Sequence, residues 1–315
     1  MTGYVAGKGL QLIPTVLGVM TLVFLMLRLI PGDPATYIAG EATTQAQIEI
    51  IRERLGLNAS FGAQYVNYVA DAVQLDFGRS LVTNRPVIDM IEDALPATLL
   101  IGFLSLLLTF AISVPLGTVC ALLASQGKGT FDQVLIFVTM ALDQLPGFWL
   151  ALVLMLAFTL HLGWFPATGV MEWGDPISLL KRIAVPLIVL SIGGIASISR
   201  VTRTSVLEVL NEDYIRSARA MGTPDRSVLF KHALRNALLP IVTIAGLGFG
   251  RLLSGAIIIE SIFSIPGMGT VLIRAIQGRD YPVVQALVLI YALMFVMMNL
   301  ITDLIYTKVD PRVKL

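Results

Sequence analysis

Cysteine and histidine are almost missing from this 315-residue chain, which has one of the former and two of the latter. Cys120 has no second thiol to join, so no disulfide framework holds the fold. His161 and His232 fall on opposite sides of the membrane in the topology derived below, so no cluster of ligands for a metal ion assembles around them. Charged residues are scarce as well, at 14% against the roughly 25% of a soluble domain. No glycine-rich loop followed by Lys and Ser or Thr occurs, which excludes ATP binding and hydrolysis by that route. Alternating strands of about ten residues, the mark of a transmembrane β-barrel, are absent too. Neither histidine lies in a span where it could activate a hydroxyl, which argues against a membrane-embedded hydrolase. The chain is expected not to be an enzyme by itself and to bind no cofactor of its own.

What remains is apolar: 56% of the residues are hydrophobic and the mean hydropathy is +0.82. Runs of about 20 such residues suffice to cross a hydrocarbon core of about 30 Å, so the expected class is an all-α integral membrane protein. Six spans are expected, at about Gly9 to Ile30, Thr98 to Ala124, Phe131 to Leu160, Ile183 to Ser199, Leu239 to Ile262 and Val283 to Tyr306. An even number puts both ends on one side. The first run is longer than the roughly 7–15 apolar residues of a secretory signal, and no small-residue cleavage site precedes Pro31-Gly-Asp-Pro34, so it is read as retained.

Orientation follows from Lys and Arg in the short loops. The loop after the fourth span carries Arg200, Arg203, Arg216, Arg219, Arg226, Lys231 and Arg235, which places it in the cytoplasm with Lys8, Lys128, Lys308, Arg312 and Lys314. Lys181 and Arg182, at the outer end of the fourth span, run against the rule. The loop from Pro31 to Pro96 then faces outward, with nine acidic residues against four arginines. Thr44 with Gln47 is a capping-box pattern ahead of Ile48, Ile51 and Leu55, and Gly56 suits the stop; a second helix is expected from Phe61 through Tyr65 and Val69 to Ala72. These helices either cover the outer ends of the bundle or help to seat an external binding protein.

Charges inside a membrane are costly unless paired or wetted. Asp143 and Arg251 fall near mid-span, and they are expected to face the bundle interior and pair there beside the solute route, as pathway residues or as a structural ion pair. Glu260, near the outer end of the fifth span, is a gate candidate or a cap on the turn before Pro266. Arg28 snorkels to the surface. Pro115, Pro146 and Pro186 lie inside spans, where each removes a backbone hydrogen bond and tends to bend its helix.

The cytoplasmic loop has its own helical pattern. Ser205 with Glu208 reads as a capping box, Tyr214, Ala218 and Met221 recur on one face, Gly222 ends the helix, and Thr223 caps a next one with Pro224 in its first turn. Ser217, Ala218 and Ala220 are small enough for close approach, so two short helices would make a knob for a partner's groove. Alternatively the loop lies on anionic lipid, which its arginines favour.

Tyr214-Ile-Arg-Ser-Ala-Arg-Ala-Met-Gly222 followed by His232-Ala-Leu-Arg-Asn-Ala-Leu-Leu-Pro240 resembles the cytoplasmic coupling motif of ATP-binding-cassette importer permeases, in the form of the dipeptide, oligopeptide and nickel permease family. Arg216 stands at the motif's acidic position, Ser217 at its first alanine, and Leu239-Pro240 comes later than usual. Further segments similar to the family occur in the same order along the chain: Pro31-Gly-Asp-Pro34, Leu55-Gly-Leu57, Asp76-Phe-Gly-Arg-Ser80, Pro146-Gly-Phe-Trp149, Leu162-Gly-Trp-Phe-Pro166, Pro266-Gly-Met-Gly269, Arg279-Asp-Tyr-Pro282 and Asp310-Pro-Arg312.

The resemblance implies six transmembrane helices of the type I importer permease fold with an outer loop subdomain after helix 1. Residues 1–30 would hold the N-terminus and helix 1, 31–97 the outer loop, 98–306 the core with the coupling loop at 202–238, and 307–315 a cytoplasmic tail. It assigns ATPase coupling to Tyr214, Ile215, Ser217, Ala218, Arg219, Ala220, Met221 and Gly222. The implied partners are a second, homologous permease in a heterodimer, two ATPase subunits that carry the ATP and Mg, an extracytoplasmic solute-binding protein and membrane lipid, with no nucleic acid. The setting would be a bacterial or archaeal plasma (inner) membrane with both termini cytoplasmic. The implied solute is a short peptide, with nickel or another metal chelate and modified peptides as alternatives. An ion-coupled secondary carrier is the rival from another class; it would call for inverted repeats and broken mid-membrane helices, and no internal repeat is visible.

Overall fold

Backbone groups in hydrocarbon must find partners within their own segment, and the long apolar runs of this chain do so as helices. The structure is a computed structural model that describes residues 2–28, 35–36, 44–54, 56–127, 129–166 and 171–309. In chain order the helices are α1 (Thr2–Arg28), α2 (Gln45–Arg54), α3 (Phe61–Val73), α4 (Val87–Ser125), α5 (Gly129–Asp143) and α6 (Gly147–Leu154). Helix α6 continues in a π-helical stretch, Met155–His161. Next come α7 (Pro176–Leu210), α8 (Asp213–Ala220), a single turn at Asp225–Ser227, a π-helical stretch at Val228–Ala233, α9 (Leu234–Ile262), α10 (Met268–Gln277) and α11 (Tyr281–Val309).

Among the described residues, α4, α7, the run Asp225–Ile262 and α11 are each long and apolar enough to cross a membrane. Helix α1 carries a shorter apolar stretch, Ile13–Met26, within 27 helical residues that extend about 40 Å. The span expected from Phe131 to Leu160 is not one straight helix. It breaks after Asp143, and the two halves, Asp132–Asp143 and Gly147–His161, meet at 96°. Pro146 supplies the reason, because it has no N–H to continue α5 and its fixed φ suits the start of α6. By contrast Pro186 sits inside α7 without ending it.

The chain divides into two compact units, Met1–Pro96 with Pro266–Met297, and Ala97–Ile265 with Met298–Leu315. In the first, Phe24 of α1 is buried among Phe61, Tyr65 and Tyr68 of α3, at ring separations of 5.3, 5.2 and 5.7 Å. Ser60 caps α3 by accepting from the Ala63 N–H at 3.4 Å, and Gln47 Oε1 accepts from the Thr44 N–H at 3.3 Å to start α2. Burial, with Tyr65 alongside, pushes the Tyr68 hydroxyl up to a pKa of about 12. The segment Asp76 to Ser80 is tied to the corner between α10 and α11. Arg279 takes φ +54° there, so that the Asp280 N–H reaches back to Ala275 O at 2.8 Å. The buried Asp280 carboxylate then accepts from the Ser80 hydroxyl and from the Leu81 N–H at 3.0 Å. Ser80 Oγ in turn accepts from the Thr83 N–H at 2.9 Å.

In the second unit α4 and α7 cross closely along small residues. Ser191 Oγ donates to Ser105 O at 3.0 Å. A methyl group added at Gly194 would meet Thr109 Cγ2 at 2.7 Å, and one added at Gly117 would run into Ser199 O and Thr202 Cβ. At the same end Arg203 of α7 forks onto the buried Asp132 of α5, with Nε at 2.7 Å from Oδ1 and Nη2 on Oδ2. Helix α7 starts at Asp175, whose carboxylate accepts from the Ile177 and Ser178 amides at 2.9 and 3.2 Å, with Pro176 in the first turn. It then runs without a stop to Leu210, so Ser205 and Glu208 lie inside it and do not open a new helix. Arg182, only 6% exposed, is a cap: its Nη2 donates to Phe263 O at 3.2 Å and Ser264 O at 3.4 Å. A guanidinium at the carbonyl end of α9 is favoured by the helix dipole, which accounts for a basic residue where the charge rule wanted none.

Three outcomes follow. Asp280→Ala leaves the Leu81 and Ser80 donors without their acceptor and costs about 3 kcal/mol locally, read as faster amide exchange at Leu81 and Thr83. Gly117→Ala lowers the melting temperature by forcing α4 from α7, at a cost of about 1–3 kcal/mol, whereas Gly102→Ala, whose added methyl would lie 3.7 Å from Leu252 Cδ2, is tolerated. Because the Tyr68 pKa is raised in the fold, the unfolded chain loses its proton first. Stability of the first unit is therefore unaffected below about pH 10 and falls as pH rises from about 10 toward 12, a loss that Tyr68→Phe removes from an alkaline melting series.

Candidate functional site

Helices α4, α5, α6, α7 and α9 line a half-open cavity of about 420 Å³. Its wall includes Thr109 of α4, Asp143 at the end of α5, Gly147 and Phe148 at the start of α6, Gly193, Gly194 and Ser197 of α7, and Gly248 and Arg251 of α9. The sequence pattern placed Asp143 and Arg251 near mid-span and facing inward, and both do line this one cavity. They do not pair, however, and neither joins an ion pair among the described residues. Asp143 sits half-buried at the break between α5 and α6, and Arg251 lies exposed part-way along α9. A Cβ added at Gly193 would lie 3.2 Å from Asp143 Oδ1, so the absent side chain leaves room for the carboxylate. Glu260 is not on the wall. It is fully buried, and its carbonyl accepts from the Ile265 N–H at 2.8 Å in the turn that ends α9. Ser264, at φ +50°, carries that turn, in which Glu260 takes part through its backbone carbonyl.

The segment expected to couple to an ATPase packs on the ends of α7 and α9. Ile215 of α8 is fully buried in a cluster with Val206 and Leu210 of α7, Val228 and Ala233 of the π-helical stretch, and Ala237 and Ile241 of α9. Ala218 is buried as well, while Tyr214 is 45% and Met221 79% exposed. The inward stripe is thus Ile215 and Ala218, and the face expected from Tyr214, Ala218 and Met221 is split. Glu212 and Pro224, not Ser205 and Thr223, stand just before the short helical pieces. Gly222 does end α8, at φ +81°, with the Thr223 N–H closing on Ala218 O at 3.1 Å. The hydroxyl of Tyr214 accepts from Asn236 Nδ2 at 2.8 Å. Ser217, Arg219 and Ala220 face outward with Met221. The Asp213–Arg216 and Arg219–Asp225 pairs are exposed, at 3.2 and 3.3 Å, and contribute little to stability.

Sequence reasoning missed the Asp132–Arg203 fork and the close crossing of α4 with α7. The crossing had a signal, since Ser105, Thr109, Ser113 and Gly117 recur every four residues in an otherwise bulky apolar run. The fork had none, because its partners are 71 residues apart.

The whole chain is similar to known proteins. The model of the family described as binding-protein-dependent transport system inner membrane component matches residues 113–315, and its N-terminal companion matches residues 1–102. The oligopeptide transport system permease protein AppB of Bacillus subtilis is 38% identical over all of both chains. The glutathione transport system permease protein GsiC of Escherichia coli K12 is 37% identical over all of this chain and 99% of that one. Among solved structures, the MetNI methionine ABC transporter in an inward-facing conformation matches at a TM-score of 0.60, with 16% identity over 71% of this chain and 97% of that one. That last likeness concerns the fold alone. A broken mid-membrane helix would also suit an ion-coupled carrier, so the break does not separate the two classes, but the family does. The chain is a multi-pass inner-membrane protein, and it belongs to the family of inner-membrane components of binding-protein-dependent transport systems, the permease subunits of ATP-binding-cassette importers.

Proposed function

We propose that this chain forms one half of the pathway by which an importer takes up a short peptide, and that α8 is where ATP-driven motion enters the membrane helices. One observation carries the reading. Ile215 fixes α8 to the ends of α7 and α9, and the same two helices supply Gly193, Gly194, Gly248 and Arg251 to the cavity wall. A push on the exposed Ser217, Ala220 and Met221 is thereby delivered to helices that shape the cavity. Peptides are the favoured cargo because the similar permeases carry oligopeptide and glutathione names.

In this reading a second, related permease completes the pathway, two ATPase subunits hold the ATP and Mg and do the hydrolysis, and an external binding protein delivers the peptide. Both termini and α8 lie in the cytoplasm, consistent with the arginines around it. The chain itself contributes no catalytic group. Its part is mechanical: ATP must favour one arrangement of the helices over another, and α8 is the contact through which that preference acts.

Ala220→Trp and Met221→Glu alter exposed positions, so the subunit folds, but they reduce ATPase copurification and binding-protein-dependent peptide uptake in proteoliposomes by about tenfold or more. Ile215→Ala, which loosens the mount, leaves ATPase binding in place and uncouples hydrolysis from uptake. Full uptake by the Trp and Glu variants, or uptake that proceeds without ATP, overturns the reading.

A further inference from the structure

The cavity has an electrical direction. Helix α5 ends at Asp143, and α6 begins at Gly147 with no side-chain cap on its first amides. The carbonyl end of one helix, with a carboxylate, and the amide end of another therefore meet at one wall. Such ends carry partial charges of opposite sign, negative at carbonyls and positive at amides. Arg251 adds a full positive charge to the lining. Asp143 and Arg251 form no ion pair with each other among the described residues; Asp143 is half-buried and Arg251 exposed, so both are open to a ligand that enters the cavity. Glycine lines the cavity as well: a Cβ at Gly248 would meet nothing within 4 Å, so there is room there for a ligand's backbone. The volume, about 420 Å³, lies in the range of roughly 300–1,000 Å³ that encloses small ligands.

Building on the peptide reading above, we propose that this cavity recognises the two ends of a short peptide's main chain. Asp143 and the carbonyl end of α5 take the ammonium group. The amide end of α6 and Arg251 take the carboxylate. A zwitterion satisfies both charges at once, and a site that holds only the termini accepts many side chains. Asp143 and Arg251 thus select for unblocked peptides within the membrane subunit itself.

The test uses the assembled transporter, with its partner permease and ATPases, in nanodiscs without the binding protein. Equilibrium binding is measured for Ala-Ala, N-acetyl-Ala-Ala and Ala-Ala-amide. The wild-type complex binds Ala-Ala at least about tenfold more tightly than either blocked form, the scale of one lost charge-assisted contact. Asp143→Asn weakens Ala-Ala and abolishes discrimination against the acetylated form only, Arg251→Gln does the same for the amide only, and Asp143→Glu retains the preference. Recovery of the complex and its basal ATP hydrolysis identify any variant that fails to fold, and for such a variant the blocked-peptide ratios of the wild type decide. Absence of Ala-Ala binding by the wild type, equal binding of all three peptides, or variants that weaken every peptide alike overturns the proposal. The peptide reading is judged separately, by wild-type uptake with the binding protein present: no peptide uptake sinks that reading, while uptake with unchanged preference in the variants sinks only this inference.

Discussion

Close approach of α4 and α7 is the constraint on which the second unit depends. Lipid is as apolar as leucine, so helices in a membrane gain little from burying hydrophobic surface against each other and associate through packing and interhelical hydrogen bonds. Here that packing is possible because Ser105, Thr109 and Gly117 face Ser191, Gly194 and Thr202. With the two backbones in contact, Arg203 reaches Asp132 and holds the start of α5. The position of α5 then sets where its end, Asp143, meets the cavity. A wider crossing would loosen the fork and the cavity wall together.

Length and hydropathy made the spanning helices legible, apolar spacing from Phe61 to Ala72 did so for α3, and local chemistry made the start of α2 legible, since Thr44 and Gln47 act within three residues of each other. Gly222 was readable for the same reason. Failures came where a local pattern met a longer-range demand. Ser205 with Glu208 has the form of a helix start, but Thr202, Ser205 and Val206 are buried on a continuing face of α7, and tertiary packing overrode the cap. Pro146 announced a bend, yet the apolar run on both sides of it concealed how sharp the bend is.

Charge was the least readable quantity. Arg200 and Arg203 counted as loop residues, although both lie on α7 and Arg203 is spent on Asp132. Arg182 counted against the topology, although it is inside the protein on the carbonyls of Phe263 and Ser264. Asp143 and Arg251 were seen as partners because opposite charges at similar depth favour pairing, but no ion pair joins them among the described residues. A sequence shows which charges exist and roughly how deep; it does not show which backbone ends or distant side chains absorb them. The segments Asp76 to Ser80 and Arg279 to Pro282 illustrate the same limit, since their shared purpose is visible only when Asp280 accepts from Ser80 and Leu81.

The π-helical stretch at Val228–Ala233 lies between the mount of α8 and the membrane portion of α9. A π turn holds one residue more than an α turn, so chain length here sets rotational phase. Excising a single residue would tighten the stretch to an α-helix and swing everything before it by about 100° around the axis of α9. Ile215 would leave its socket, and the outward face of α8 would point elsewhere. The subunit therefore carries a dial whose setting is counted in whole residues: the rotational alignment of α8 with the helices that line the cavity is fixed by the length of six residues of backbone.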